Sequence, residues 1–381
     1  MKTIKGGVTK PKGFKANGLC CGIKRSGKPD LTLISCDTVV PTAGVFTKNS
    51  IKAAPLIMTQ KHLRNNQAQA IIINSGNANC FTGNFGLIYA KSMTEVIADL
   101  IGAKASDVLV SSTGIIGKPL PYKKIAKAAG KLVAGLGTSM RSGLLAAKGI
   151  LTTDKVTKEI AVQTSIDGKT ATIGACSKGS GMIEPNMATM LAFVTTDVAI
   201  SPKMLKLALK KATDKSFNCI TVDGCMSTND MVTVMASGQA KNKTITSAGK
   251  DFDKFYEALE YVCLDMAKKI VMDGEGATKF IKVNIISAPT AKAAKAAAMA
   301  VANSNLVKTA AFGCNPNWGR VAAAVGSLGL KITEEDLKVT FSSFAKKNIT
   351  INVDLNSGKH CATVYTSDLS HEYIRINGKY N

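Results

Sequence analysis

Over the first third of the chain, apolar residues come in short runs separated by Gly- and Asn-rich turns. LTLIS around Leu31 and AIIIN from Ala70 to Asn74 read as strands, the second feeding into SGNANCFTGN. The spacing becomes helical from about Leu87 to Ile101 and from about Tyr122 to Leu136, while DVLVSS is a strand that ends at STGIIG. Two alternating runs flank Asp167-Gly168, which signals a hairpin. Ser201-Pro202 starts a helix through about Thr213, and Phe252, Phe255, Leu259, Val262, Met266 and Ile270 trace one face of a long helix that ends before DGEG. An alanine-rich helix is predicted from roughly Ala291 to Val307. Pro316 and Asn317 open a helix in which Trp318 is expected as a packing anchor, and NITINVDLNSGKHCATVYTSDLS predicts a terminal hairpin turning at Asn356-Ser357-Gly358. Helices combined with antiparallel hairpins point to an α+β or layered α/β sandwich, not a doubly wound parallel sheet. No Rossmann or P-loop glycine pattern is present. One stretch fits neither period: KGSGMIEPNMATMLAFVTTD, from Lys178 to Asp197, interrupts an apolar run with Glu184, Pro185, Asn186 and Thr189.

Composition adds limits. With 381 residues, 45% of them hydrophobic, the chain is long enough for two domains or two large lobes. The net charge of +23 favours anionic partners, but the lysines are spread along the whole chain and aromatics are only 5%, so a solvated basic surface is preferred over nucleic-acid binding. Ten cysteines without a C-x-x-C pair read as free thiols in a reducing compartment, and three histidines (His62, His360, His371) argue against a metal site. MKTIKGGVTKPKGFKANG lacks the apolar core of a signal peptide and no apolar run reaches about 18 residues, so no membrane span and a cytoplasmic location are expected.

Several loops carry candidate chemistry, each with a plainer alternative. Ser112-Thr113-Gly114 follows an apolar strand, where a hydroxyl and a flexible N–H can receive a developing oxyanion; an ordinary strand-end turn explains the same residues. Thr152, Thr153 and Asp154 read equally as an Asx turn. Lys178 can pair a substrate carboxylate, but among 49 basic residues a solvated lysine is the default. Glu275 stands between two glycines, as a contact to an amine or as a surface turn. Thr189 is either a buried strand threonine or a nucleophile. If the chain broke at Ala188–Thr189, the new α-amine, with an ordinary pKa of about 7.7–8.0, would stand beside the hydroxyl as its base.

Taken together, INSGNANCFTG, SSTGIIG, GILTTDKVTK, KGSGMIEPNMATMLAFVTTD, FNCITVDGCMSTND, DGEGATKF, GCNPNWGR and SDLSHEYIRING resemble the ornithine acetyltransferase (glutamate N-acetyltransferase) family of arginine biosynthesis, in order and over essentially the whole chain. The resemblance implies a layered αββα-type sandwich with N-terminal-nucleophile-like architecture. It implies self-cleavage between Ala188 and Thr189 into fragments 1–188 and 189–381, assembled as a heterotetramer of two copies of each. Thr189 would be the nucleophile, Thr113 and Gly114 the oxyanion pair, and Thr152, Lys178, Thr189, Glu275 and Asn377 substrate-binding positions. The implied reaction moves an acetyl group from N-acetylornithine to glutamate through an acetyl-threonine. No cofactor or metal is implied, although some members also take acetyl-CoA as a co-substrate. An N-terminal-nucleophile amidase or aminopeptidase, ending with water, is the alternative. Cys219, Cys225, Met226 and Thr157 depart from the family pattern, as does the ending Tyr380-Asn381.

Overall fold

The alternating runs form nine strands in one hydrogen-bonded network: β1 (Lys2–Ile4), β2 (Phe14–Leu19), β3 (Leu31–Phe46), β4 (Gln67–Asn77), β5 (Val108–Ile115), β6 (Lys158–Ile166), β7 (Lys169–Lys178), β8 (Leu191–Thr196) and β9 (Met231–Ala236). The structure is a computed structural model that describes residues 1–184 and 190–379. It divides into two units: Met1–Gly179, Asn186–Asn218 and Met226–Met266 in the first, and Ser180–Pro185, Cys219–Cys225 and Ala267–Asn381 in the second.

In the first unit the strand order is β1-β6-β7-β8-β9-β3-β4-β5, with β2 also on β3. β3 joins two halves. Leu31–Ser35 pairs with β4 and β2, Thr42–Phe46 pairs with β9, and the register breaks between Ser35 and Val40. The two halves thereby share one core, with Ile34, Ile71 and Leu109 from one side and Cys176, Leu191, Phe193 and Met231 from the other. Strand alternation sends Leu33, Ile72, Val108 and Val110 to the opposite face, where they pack on Ala90, Met93, Ile97, Ile125 and Leu132 of helices Gly83–Ile101 and Tyr122–Ala134. On the other outer face Ser177 Oγ lies 3.3 Å from Met266 Sδ of helix Lys250–Met272. The result is the predicted αββα layering, and it explains why β8 and β9 are buried at every position. The hairpin expected at Asp167-Gly168 joins β6 to β7. Both residues take positive φ (49° and 68°), as a two-residue turn of this hand requires.

The second unit holds β10 (Phe280–Ala288), β11 (Lys338–Phe341), β12 (Asn348–Asp354) and β13 (His360–Ser367), in the order β11-β12-β10-β13. Here the structure corrects three expectations. β12 and β13 do not form a hairpin: β10 lies between them, parallel to β12 and antiparallel to β13. The alanine-rich helix is two, Ala291–Asn303 and Asn305–Phe312, because Ser304 ends the first and caps the second by accepting from Val307 N. Trp318 is 63% exposed; it starts helix Trp318–Gly326, whose buried residues are Val321 and Val325.

Among the described residues no helix is long and apolar enough to cross a membrane. No disulfide is formed among the described residues. Phe193 is 1% exposed between the two half-sheets. Phe193→Ala is expected to lower stability by about 3–5 kcal/mol, measured as a shift in the denaturant midpoint.

Candidate active site

The first cluster is built at the carboxyl ends of β4 and β5, two parallel strands whose apolar residues are fully buried up to Ile73 and Val110. Beyond them the ladder is irregular around Gly76, Asn77 and Gly114. Gly114 has φ +133°, and a Cβ there would stand 2.4 Å from the Gly76 carbonyl carbon, so the close approach of the two backbones admits only glycine. Buried amides fix this corner. Asn74 Nδ2 donates to Asn77 O at 2.9 Å, Ser112 Oγ donates to Asn74 Oδ1, and Asn229 Nδ2 donates to Ala78 O at 2.6 Å and Ser112 O at 2.8 Å.

Lys178, the last residue of β7, is only 8% exposed, and its Nζ donates to Thr113 Oγ1 at 3.3 Å. It is therefore not the solvated lysine that composition favours. Asp154 organises the approach. Its carboxylate accepts from Lys158 Nζ at 2.7 Å, Gly179 N at 2.7 Å and Thr152 N at 3.0 Å, and both members of the Lys158–Asp154 ion pair have side chains with no solvent exposure. Burial alone would raise this carboxyl's pKa. The charges of Lys178 and Lys158, with the hydrogen bonds, outweigh it and hold the group well below the usual carboxylate range. Lys24 extends the same neighbourhood. Its side chain would touch a Cβ on Gly76, and burial, opposed by Asp30 and Asp154 and aided by Lys178, pulls its pKa down to about 8.

In the second unit, Glu275 follows helix Lys250–Met272 and is 8% exposed rather than a surface turn. Its N–H donates to Ser180 O at 2.7 Å, and its Oε2 accepts from Asn377 Nδ2 at 2.9 Å. A Cβ on Gly181 would come within 2.3 Å of that carboxylate, so the glycine leaves room for it.

The ArgJ family pattern matches residues 15–346 and 342–381. The arginine biosynthesis bifunctional protein ArgJ of Caldanaerobacter subterraneus subsp. tengcongensis is 46% identical over 100% of both chains, and that of Geobacter sulfurreducens is 44% identical over 97% of this chain and 99% of its own. The chain belongs to the ArgJ family. Among solved structures, the ornithine acetyltransferase of Mycobacterium tuberculosis, complexed with ornithine, is 36% identical over 49% of this chain and 99% of that one, with a TM-score of 0.46.

Of the residues predicted for an ArgJ-type site, Thr113, Gly114, Thr152 and Lys178 gather in the first unit, and Glu275 and Asn377 meet in the second. Ala188 and Thr189 lie outside the described residues. Sequence reasoning missed Lys24, Asn74, Lys158 and Asn229 as parts of these clusters. The available signal was polarity without a turn to explain it, as in INSGNAN and STND. Asp154 was legible only as a turn residue.

The depressed carboxyl of Asp154 sets a pH dependence. Its contribution to stability is complete above the unfolded value of about pH 4 and is lost as pH falls toward the lower folded value. Asp154→Asn is expected to lose about 3–5 kcal/mol at neutral pH, with the difference in melting temperature from wild type narrowing below pH 4.

Proposed function

We propose that this chain is a self-processing acetyltransferase that carries an acetyl group from N-acetyl-L-ornithine to L-glutamate in arginine biosynthesis. The observation that carries this reading is the corner formed by Thr113, Gly114 and Lys178. Because Thr113 Oγ1 accepts from Lys178 Nζ, its own proton is available to be donated, beside the backbone N–H of a glycine locked at φ +133°. A hydroxyl and an N–H arranged in advance are what a tetrahedral oxyanion needs. Full-length similarity to relatives named arginine biosynthesis bifunctional proteins supports the choice of pathway. Acetyl-CoA as a second donor for glutamate belongs to the same proposal. No cofactor is needed by the chemistry.

In this reading Thr189 Oγ first attacks the Ala188 carbonyl carbon. The C–N bond breaks, the nitrogen takes the hydroxyl proton, and water hydrolyses the resulting ester, leaving a carboxylate on Ala188 and a free amine on Thr189. That amine then serves as base for its own hydroxyl. Attack on the acetyl carbonyl expels ornithine, whose nitrogen takes the proton; the glutamate amine attacks the acetyl ester and leaves as N-acetylglutamate. Thr152, Lys178, Glu275 and Asn377 hold substrate, with Lys178 as a point charge for carboxylate. The fragments 1–188 and 189–381 remain together because β8, the first strand after the cut, is paired with β7 before it, from Lys178↔Leu191 to Ile173↔Thr196. We assign the working form to the cytoplasm, as a heterotetramer with two copies of each fragment.

Thr189→Ala is expected to give one uncut chain near 39.9 kDa and no acetyl transfer, read by intact mass and a denaturing gel. Thr113→Val removes the hydroxyl without changing side-chain shape, and is expected to slow transfer about 10²–10³-fold. Release of acetate from N-acetylornithine in the presence of glutamate, without N-acetylglutamate, would overturn the transferase in favour of a hydrolase.

A further inference from the structure

In the second unit the segment Ser180–Glu184 is held as a bound strand is held. Met182 has φ +57°, a left-handed conformation that turns two successive N–H groups toward one anion. Met182 N donates to Asp223 Oδ2 at 2.7 Å and Ile183 N to Asp223 Oδ1 at 2.9 Å. The Ile183 carbonyl accepts from Val222 N at 2.7 Å and lies 3.0 Å from Thr221 Oγ1. Glu184 Oε2 accepts from Asn303 Nδ2 at 2.9 Å, and Asn303 Oδ1 lies 2.7 Å from Thr221 Oγ1. Lys308, only 2% exposed, anchors the turn that presents Asp223: its Nζ donates to Val222 O at 2.7 Å, Ser367 O at 2.6 Å and Thr366 Oγ1 at 3.1 Å, which uses all three ammonium protons. An aspartate at an ordinary turn bonds the N–H groups that follow it, and Asp223 does accept from Cys225 N at 3.2 Å. Its two shorter bonds instead reach about forty residues back along the chain, to backbone on the acyl side of Ala188–Thr189.

We infer that Asp223, supported by Lys308, is a positioning residue for the self-cleavage step, fixing the backbone of Met182 and Ile183 on the acyl side of Ala188–Thr189. The inference rests on the reading of that bond given under the proposed function. The bonds on which it rests run to the backbone of Met182 and Ile183 and not to the residues assigned to acetyl transfer. After the cut, the same bonds hold Met182 and Ile183 of the first fragment.

The test is a pulse-chase of the full chain in cell-free translation, with conversion of precursor to fragments followed on denaturing gels. Asp223→Asn, which replaces the carboxylate by a neutral amide of the same size, is expected to lengthen the conversion half-time about tenfold or more. Asn303→Ala, which releases Glu184 and the Thr221 hydroxyl but leaves both Asp223 bonds in place, is expected to lengthen it less. Thermal unfolding is measured for both variants in the uncut Thr189→Ala background and is expected to stay within a few degrees of that background. Wild-type half-times for both variants would overturn the inference, as would a slowing matched by loss of thermal stability. A wild-type chain that never separates into fragments would instead overturn the reading of Ala188–Thr189 on which the inference rests.

Discussion

One carboxylate without solvent exposure, Asp154, orders a large part of the first unit. It ties Thr152, Lys158 and the N–H of Gly179 to a single point and lies under the influence of the charge on Lys178. Fixing Gly179 fixes the end of β7, which aims Lys178 at Thr113, and the Lys178 hydrogen bond sets which way the Thr113 hydroxyl can donate. Buried charges are tolerated only when their hydrogen-bonding capacity is met. The corner at Thr113 and Gly114 therefore inherits its geometry from a salt bridge that touches neither residue.

Much of the fold was legible because local chemistry and periodicity agreed. The helices around Leu87, Tyr122 and Phe252 were expected from apolar spacing, and the one at Pro202 from its Ser-Pro start, where Ser201 caps as its position implies. Asp167-Gly168 names its turn outright. The run before Asn356 and the run after Gly358 were equally clear as strands, but their partner was not. The same turn residues serve a hairpin and a connection that steps over β10, and local pattern encodes a strand's two faces without naming its neighbour. Trp318 failed for a related reason: a large apolar residue suggests burial, yet here it lies off the face made by Val321 and Val325.

The site was legible as a set of residue types and illegible as geometry. Lys178 looked like one lysine among many, although it ends the apolar run ATIGACS, and that placement was the sign of burial. The need for glycine at Gly114 comes from Gly76, a residue distant in sequence, through the register of β4 and β5. Glu275 resembled a surface turn because its cover comes from Ser180, Gly181 and Asn377, none of them near it along the chain. Covalent and spatial divisions also differ: each unit draws on residues before and after Ala188–Thr189, as the shared β7–β8 ladder requires.

The interposed position of β10 has a consequence for biogenesis. Phe280–Ala288 is synthesised before either of its neighbours, and both of its edges stay open until Asn348–Asp354 and then His360–Ser367 emerge. Three helices, Ala291–Asn303, Asn305–Phe312 and Trp318–Gly326, are made in that interval and can cover one face of the waiting strand, but they cannot satisfy its backbone. A nascent chain arrested before Asn348 would carry a strand rich in isoleucine and valine with two unpaired edges, a template for association with other chains. Late pairing thus leaves both edges of β10 open while about sixty further residues are made, and closes them only when the last two strands of the sheet arrive.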